Sequence, residues 1–185
     1  MSKEWYIGTS GFMTSKRTWL STDLNCIEIN STFYRLPSVS TVKEWKSYNI
    51  GYSIKCSKYI THIKRLKDCY LAWQEFYKRI ESLNEKLKAI LIQLPPSFKY
   101  NEENFERIKI MAKYLPINKH TIVFEFRDSS WFISKIYKLM REKNICIGGT
   151  GIERPTKTYW LGNLPTGINI PSKTSDATYL RIHGQ

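Results

Sequence analysis

The sequence predicts an α/β fold of the TIM-type (β/α)8-barrel class, and two observations predict it. Short apolar runs alternate with longer amphipathic segments, and within each run the alternate side chains differ sharply in chemistry. The runs Trp5–Thr9, Asn25–Ile29, Gly51–Lys55, Ala89–Gln93, Thr121–Phe126, Ile145–Gly148 and Thr178–Ile182 read as strands. Strand–helix alternation implies a parallel sheet covered by helices, which suits a doubly wound sheet or a barrel. Side-chain parity separates the two. One parity set is apolar, as in Ile27 and Ile29, Tyr52 and Ile54, Ile90 and Ile92, Ile122 and Phe124, Ile145 and Ile147, or Leu180 and Ile182. The other ends in polar or small residues: Gly8 and Ser10, Glu28 and Asn30, Ser53 and Lys55, Gln93, Glu125 and Arg127, Gly148, Arg181 and His183. Period-two alternation sends the sets to opposite faces. A doubly wound sheet buries both faces under helices and needs both sets apolar. A barrel accepts a polar set converging inside, near the carboxyl ends of its strands, where barrel enzymes keep their sites.

Each helix follows from its own spacing. Val39, Val42 and Trp45 share a face over Val39–Tyr48, after Ser38. Trp73, Phe76, Tyr77, Ile80 and Leu83 recur at helical intervals within Asp68–Leu87. Asn101 is placed to cap a helix burying Phe105, Ile108, Met111 and Leu115, and Asp128, Ser129 or Ser130 to cap one burying Ile133, Ile136, Tyr137 and Met140. Thr61 is read as a helix cap and Trp45 and Trp131 as helix packing. Residues 149–176, dotted with Gly and Pro, read as one long loop.

Composition narrows the class. Hydrophobic residues make up 42% and charged residues 24%, as in a globular chain, and no apolar run nears the ~18 residues a membrane span needs. The opening residues enter a strand candidate at once, so the expectation is no signal peptide and a cytoplasmic protein without a membrane partner. Cys26, Cys56, Cys69 and Cys146 are widely separated and make no metal-binding pair, so free thiols are expected. The net charge of +13 raises a nucleic-acid partner as one reading. Its sources are 20 Lys and 9 Arg scattered along the chain, which equally describe a solvated basic surface.

The inward polar set supplies the candidate site. Glu28 and Glu125 are carboxylates that burial penalises unless they are paired, protonated or metal-bound. Proton transfer or a divalent metal (Mg or Mn, from oxygen ligands and one imidazole) is the functional reading, and pairing with Arg127 or Arg181 the structural one. His183 is a candidate acid, base or ligand. Lys55, Arg127 and Arg181 bring three positive charges to one mouth, suited to a phosphate or carboxylate or to neutralising the glutamates. Ser10, Asn30, Tyr34, His62 and Gln93 are candidate ligand-binding groups. The expectation is an enzyme, or a degenerate one, for a small anionic or polyhydroxyl compound such as a sugar phosphate. A nucleic-acid-binding protein and an inactive remnant are the alternatives.

Several motifs occur in a fixed order: Ile7 to Gly11 (Ile-Gly-Thr-Ser-Gly); Ile27 to Pro37; Lys55 with Ile60, Thr61 and His62; Gln93 to Pro96; Glu125, Phe126 and Arg127 with Trp131; and Tyr179 to Gly184. Together they resemble the YecE-like family, domain of unknown function seventy-two. The resemblance implies a (β/α)8 barrel of the xylose-isomerase-like kind and carries no assigned reaction. It also implies a longer chain, with a helix, an eighth strand and a final helix after the last motif. On that basis residues 1–185 are expected to form a single barrel domain that is C-terminally incomplete, with about seven strands. Unpaired edges beside Ile7 and Leu180 would then invite self-association.

Overall fold

The computed structural model describes residues 4–152, 164 and 167–183. Its first strand, β1 (Gly8–Ser10), is shorter at its start than the hydrophobic run suggests. The Asn25 side chain explains why: its Oδ1 accepts from Ile7 N at 2.7 Å, and its Nδ2 donates to the Trp5 carbonyl at 2.8 Å. Those backbone groups are thereby held outside the ladder. At Gly8 the backbone of β1 comes so close to its neighbour that a Cβ would lie 1.5 Å from the Cys26 carbonyl oxygen.

After the short helix α1 (Lys16–Leu20) come β2 (Cys26–Ile29), α2 (Ser31–Tyr34), α3 (Val39–Ser47) and β3 (Gly51–Lys55). Neither α1 nor α2 is signalled by apolar spacing. Ser38 caps α3 by accepting from Thr41 N at 3.0 Å, and Val42 and Trp45 are buried beneath it. Val39, expected on that face, is exposed at the first helical position. Beyond β3 the chain makes a π-helical turn, Tyr59–Ile63, with Thr61 inside it. Thr61 is therefore no cap: its hydroxyl donates to the Ser57 carbonyl one turn back, at 3.0 Å.

Helix α4 (Tyr70–Ile80) buries Trp73, Phe76 and Ile80, then tightens into a 3₁₀ segment, Glu81–Lys86. The helix was expected to reach Leu87. A φ of 51° at Asn84 breaks it, and Lys86 Nζ ties the segment down through the Lys46 and Tyr48 carbonyls. Strand β4 (Leu87–Gln93) starts directly afterwards. Asn101 caps α5 (Glu102–Ala112), accepting from Asn104 N at 2.7 Å, and Glu102 and Glu103 complement the helix dipole in the first turn. After β5 (Thr121–Glu125), Asp128 caps the 3₁₀ turn Ser129–Trp131. Helix α6 (Ser134–Glu142) begins three residues later and buries Ile136 and Met140. Within the span read as loop lie β7 (Gly149–Ile152) and β8 (Gly167–Asn169), following β6 (Cys146–Ile147) and preceding β9 (Leu180–His183). The rest of that span includes residues outside those described.

Among the described residues the main sheet has six parallel strands in sequence order, β1-β2-β3-β4-β5-β6, and it does not close on itself. Strand β7 continues β6 after Gly148 and pairs with β9 in parallel and β8 antiparallel. Ile27, Tyr52, Ile54, Ile90, Ile92, Ile122, Phe124 and Ile147 pack on one face, against Trp45, Trp73, Phe76, Ile108, Met111 and Ile136 of the helices. Trp131 belongs to this core, stacked on Phe98 and Phe126. The opposite face carries a separate small cluster, Ala89, Leu91, Val123 and Cys146, with Tyr179 against it. All four cysteines are free and buried. Leu180 and Ile182 depart from the pattern: expected beneath a helix, they are exposed, and no described element covers them. No helix among the described residues is long and apolar enough to cross a membrane.

Candidate functional site

The carboxyl ends of the strands gather the polar parity set. In the ladder Ser10 stands beside Glu28, Glu28 beside Ser53, and Gln93 beside Glu125, while Thr150 of β7 is paired with Arg181. Arg181 is the hub. Its Nε and Nη2 donate to Glu28 Oε2 and Oε1 at 2.8 and 2.9 Å, a parallel fork on one carboxylate. Its Nη1 donates to Glu125 Oε2 at 2.9 Å and Oε1 at 3.2 Å. Adjacent strands lie about 4.8 Å apart, so a flat sheet would put β9 far beyond side-chain reach of β2. The main sheet and the sheet containing β9 must therefore turn toward each other, with these groups between them.

Around the hub the remaining bonds are directional. Tyr179 donates to Glu28 Oε2 at 2.8 Å; its single proton being spent, Ser53 donates to the Tyr179 oxygen at 2.6 Å. Asn30 Nδ2 donates to Ser10 Oγ at 2.5 Å, and Ser10 donates on to Glu28 Oε1 at 3.1 Å. Burial alone would raise the Glu28 pKa, but the Arg181 charge and these hydrogen bonds hold it below the ordinary carboxylate range. Burial, reinforced by the Glu28 charge, pushes the Tyr179 phenol well above its usual value, so it stays a donor.

Arg127 completes the second carboxylate. Its Nη2 pairs with Glu125 Oε1, and lies 3.4 Å from His183 Nε2. Since a guanidinium only donates, that ring nitrogen accepts, and burial followed by the Arg181 and Arg127 charges keeps the His183 pKa low. Arg127 is only 2% exposed, yet its Nε and Nη1 are buried with no hydrogen-bond partner among the described residues. Lys55 ends β3 with its ammonium 4.5 Å from the centroid of the Phe33 ring and no ion pair among the described residues. Burial and the Arg181 charge bring its pKa down to about 8. His62, edge-on to the same ring at 4.9 Å, is held to about 4 by burial and the Lys55 charge.

The predicted residues Ser10, Glu28, Asn30, Lys55, Gln93, Glu125, Arg127, Arg181 and His183 thus lie on or at the end of this face, with His62 joined to it through Phe33. Tyr34 stands apart: it is 78% exposed, its ring edge-on to Phe33 at 5.1 Å. Tyr179 and Ser53 were not singled out. The parity of Tyr179 with Arg181 and His183 was the available signal, but nothing in spacing tells a bonding phenol from a packing one.

The donor set does not fit a divalent metal. Both oxygens of Glu28 and of Glu125 already accept from cations or hydroxyls, and His183 Nε2 faces a guanidinium. Among the described residues no three His, Cys, Asp or Glu side chains converge to hold an ion. What the face offers is charge of the other sign. Three cations, Lys55, Arg127 and Arg181, meet two carboxylates, Glu28 and Glu125, and the two buried donors of Arg127 have no acceptor among the described residues.

Among curated proteins none matches this sequence. Among solved structures, a DUF72 family protein from Thermotoga maritima is 27% identical, with a TM-score of 0.75 over 97% of this chain and 74% of its own. A DUF72 family protein from Enterococcus faecalis is 20% identical, with a TM-score of 0.70 over 96% of this chain and 72% of its own. The latter likeness bears on the fold alone. The model of the family described as "Protein of unknown function DUF72" matches residues 7–185, and the chain belongs to that family.

Proposed function

We infer that this chain is an enzyme-like (β/α)-barrel protein whose carboxyl-end mouth binds a small anionic compound through Arg127. The barrel reading is supported by the reach of Arg181 from β9 to Glu28 on β2 and by the separate apolar cluster on the face opposite the helix-covered one. The observation that carries the ligand reading is the buried Arg127 guanidinium, whose Nε and Nη1 have no partner among the described residues. A buried donor left without an acceptor costs about 1–3 kcal/mol, and more on a charged group, so a ligand that supplies the acceptor gains by binding there. A phosphate or carboxylate matches the guanidinium geometry. Lys55 adds positive potential with no carboxylate paired to it among the described residues, while Arg181, Glu28 and Glu125 form the base of the mouth.

Titration calorimetry with inorganic phosphate, glycerol 3-phosphate and a hexose 6-phosphate tests the reading. Binding that weakens at least tenfold in Arg127→Met, with Glu125 still held by Arg181, supports it. Unchanged binding in that variant, or none of the anions bound by the wild type, overturns it.

A further inference from the structure

We propose that Lys55 is an amine nucleophile that condenses with the carbonyl carbon of a small compound bearing a phosphate or carboxylate, a step that rests on the anion-binding reading above. Position comes first. Lys55 is the last residue of β3, and its backbone carbonyl accepts from Thr32 Oγ1 at 2.7 Å, so the root of the side chain is fixed. The amine lies over the Phe33 ring, with no hydrogen bond or ion pair among the described residues. Glu28 and Glu125, which would otherwise hold it as an ammonium, are taken by Arg181 and Arg127. A half-buried amine whose charge is opposed by the Arg181 and Arg127 guanidiniums is a setting in which a lysine becomes a nucleophile near neutral pH.

The chemistry balances without a further reagent. The nitrogen lone pair attacks the carbonyl carbon, a C–N bond forms, and the carbonyl oxygen takes a proton to give a carbinolamine. The nitrogen then expels that oxygen as water, leaving a protonated imine. An imidazole held against the same Phe33 ring can carry the protons. Thr61 Oγ1 spends its proton on the Ser57 carbonyl and so accepts from His62 Nδ1 at 2.8 Å, which leaves Nε2 of His62 as a lone-pair acceptor. With its pKa near 8, Lys55 has roughly two orders of magnitude more free amine at neutral pH than an ordinary lysine. Arg127 would hold the anionic end of the compound.

The whole chain is incubated with dihydroxyacetone phosphate or with pyruvate, reduced with sodium borohydride, and mapped by peptide mass. Expected is a single covalent increment on Lys55, suppressed by inorganic phosphate and absent from Lys55→Arg. Lys55→Arg keeps the positive charge at the mouth, and circular dichroism checks that it folds; Lys55→Met, expected to bind glycerol 3-phosphate more weakly, serves if the arginine disturbs folding. No increment from a wild-type chain that binds glycerol 3-phosphate overturns the nucleophile and leaves the anion site standing. Increments spread over surface lysines, or undiminished in both variants, overturn it equally. Absence of both trapping and binding overturns the two readings together.

Discussion

Arg181 on β9 grips Glu28 on β2 through two parallel hydrogen bonds of 2.8 and 2.9 Å, and with its remaining nitrogen holds Glu125 on β5. One guanidinium thus ties a strand of the three-stranded sheet to two non-adjacent strands of the main sheet. Its five donors in a fixed plane permit this, whereas a lysine would offer one point charge.

Replacing Glu125 with Gln should test how far that tie is structural. Glu125 is fully buried and meets both Arg127 and Arg181, so the change leaves two guanidiniums short of charge. Removing one partner of a buried ion pair costs about 3–5 kcal/mol, and urea unfolding should show a loss of that size. A loss under 1 kcal/mol would mean that water or other groups already solvate the pair.

Tyr179→Phe should be milder. It removes one hydrogen bond to Glu28 and leaves the Ser53 hydroxyl to find another acceptor, at a cost of about 1–2 kcal/mol. With one donor gone the Glu28 carboxylate is held down less strongly, so its titration, followed by carbon-13 NMR of the carboxyl, should move upward. A downward or absent movement would remove Tyr179 from the network.

The acid limb of stability should divide into two windows. His62 has a folded pKa of about 4 against an ordinary 6.5, so the unfolded chain binds the proton first, and stability falls as pH drops between those values. Glu28 is also depressed, so its contribution is present above the ordinary value of 4.5 and is lost as pH falls below it. Thermal melts of His62→Gln should be flatter than wild type in the upper window, and melts of Glu28→Gln in the lower one. Parallel curves for all three proteins would contradict both assignments.

Gly8→Ala should destabilise out of proportion to the single methyl added. The new Cβ would overlap the Cys26 carbonyl, so β1 must move away and its pairing with β2 must weaken. A loss of about 3 kcal/mol in chemical unfolding is expected, at the upper end of ordinary point changes. A near-neutral result would show that this edge strand shifts freely.

The sequence by itself determined the periodic features. Alternation in Ile27–Ile29, Ile90–Ile92 and Ile122–Phe124 assigned the helix-facing side, since period two leaves an apolar set one place to go. The same rule put Glu28, Lys55, Glu125 and Arg181 on the other side, and local chemistry marked Ser38 and Asn101 as caps. What only the tertiary structure decided was which of those inward groups meet. Parity names a face but not the neighbour across it, so nothing local says that Arg181 takes both glutamates and that Lys55 has no ion pair among the described residues. The metal reading of Glu28, Glu125 and His183 could not be weighed from sequence for the same reason: composition names carboxylates that suit a cation, and only the fold shows guanidiniums already bound to them. The exposure of Leu180 and Ile182 has the same origin, because an apolar parity set records a face and not whether a helix lies over it.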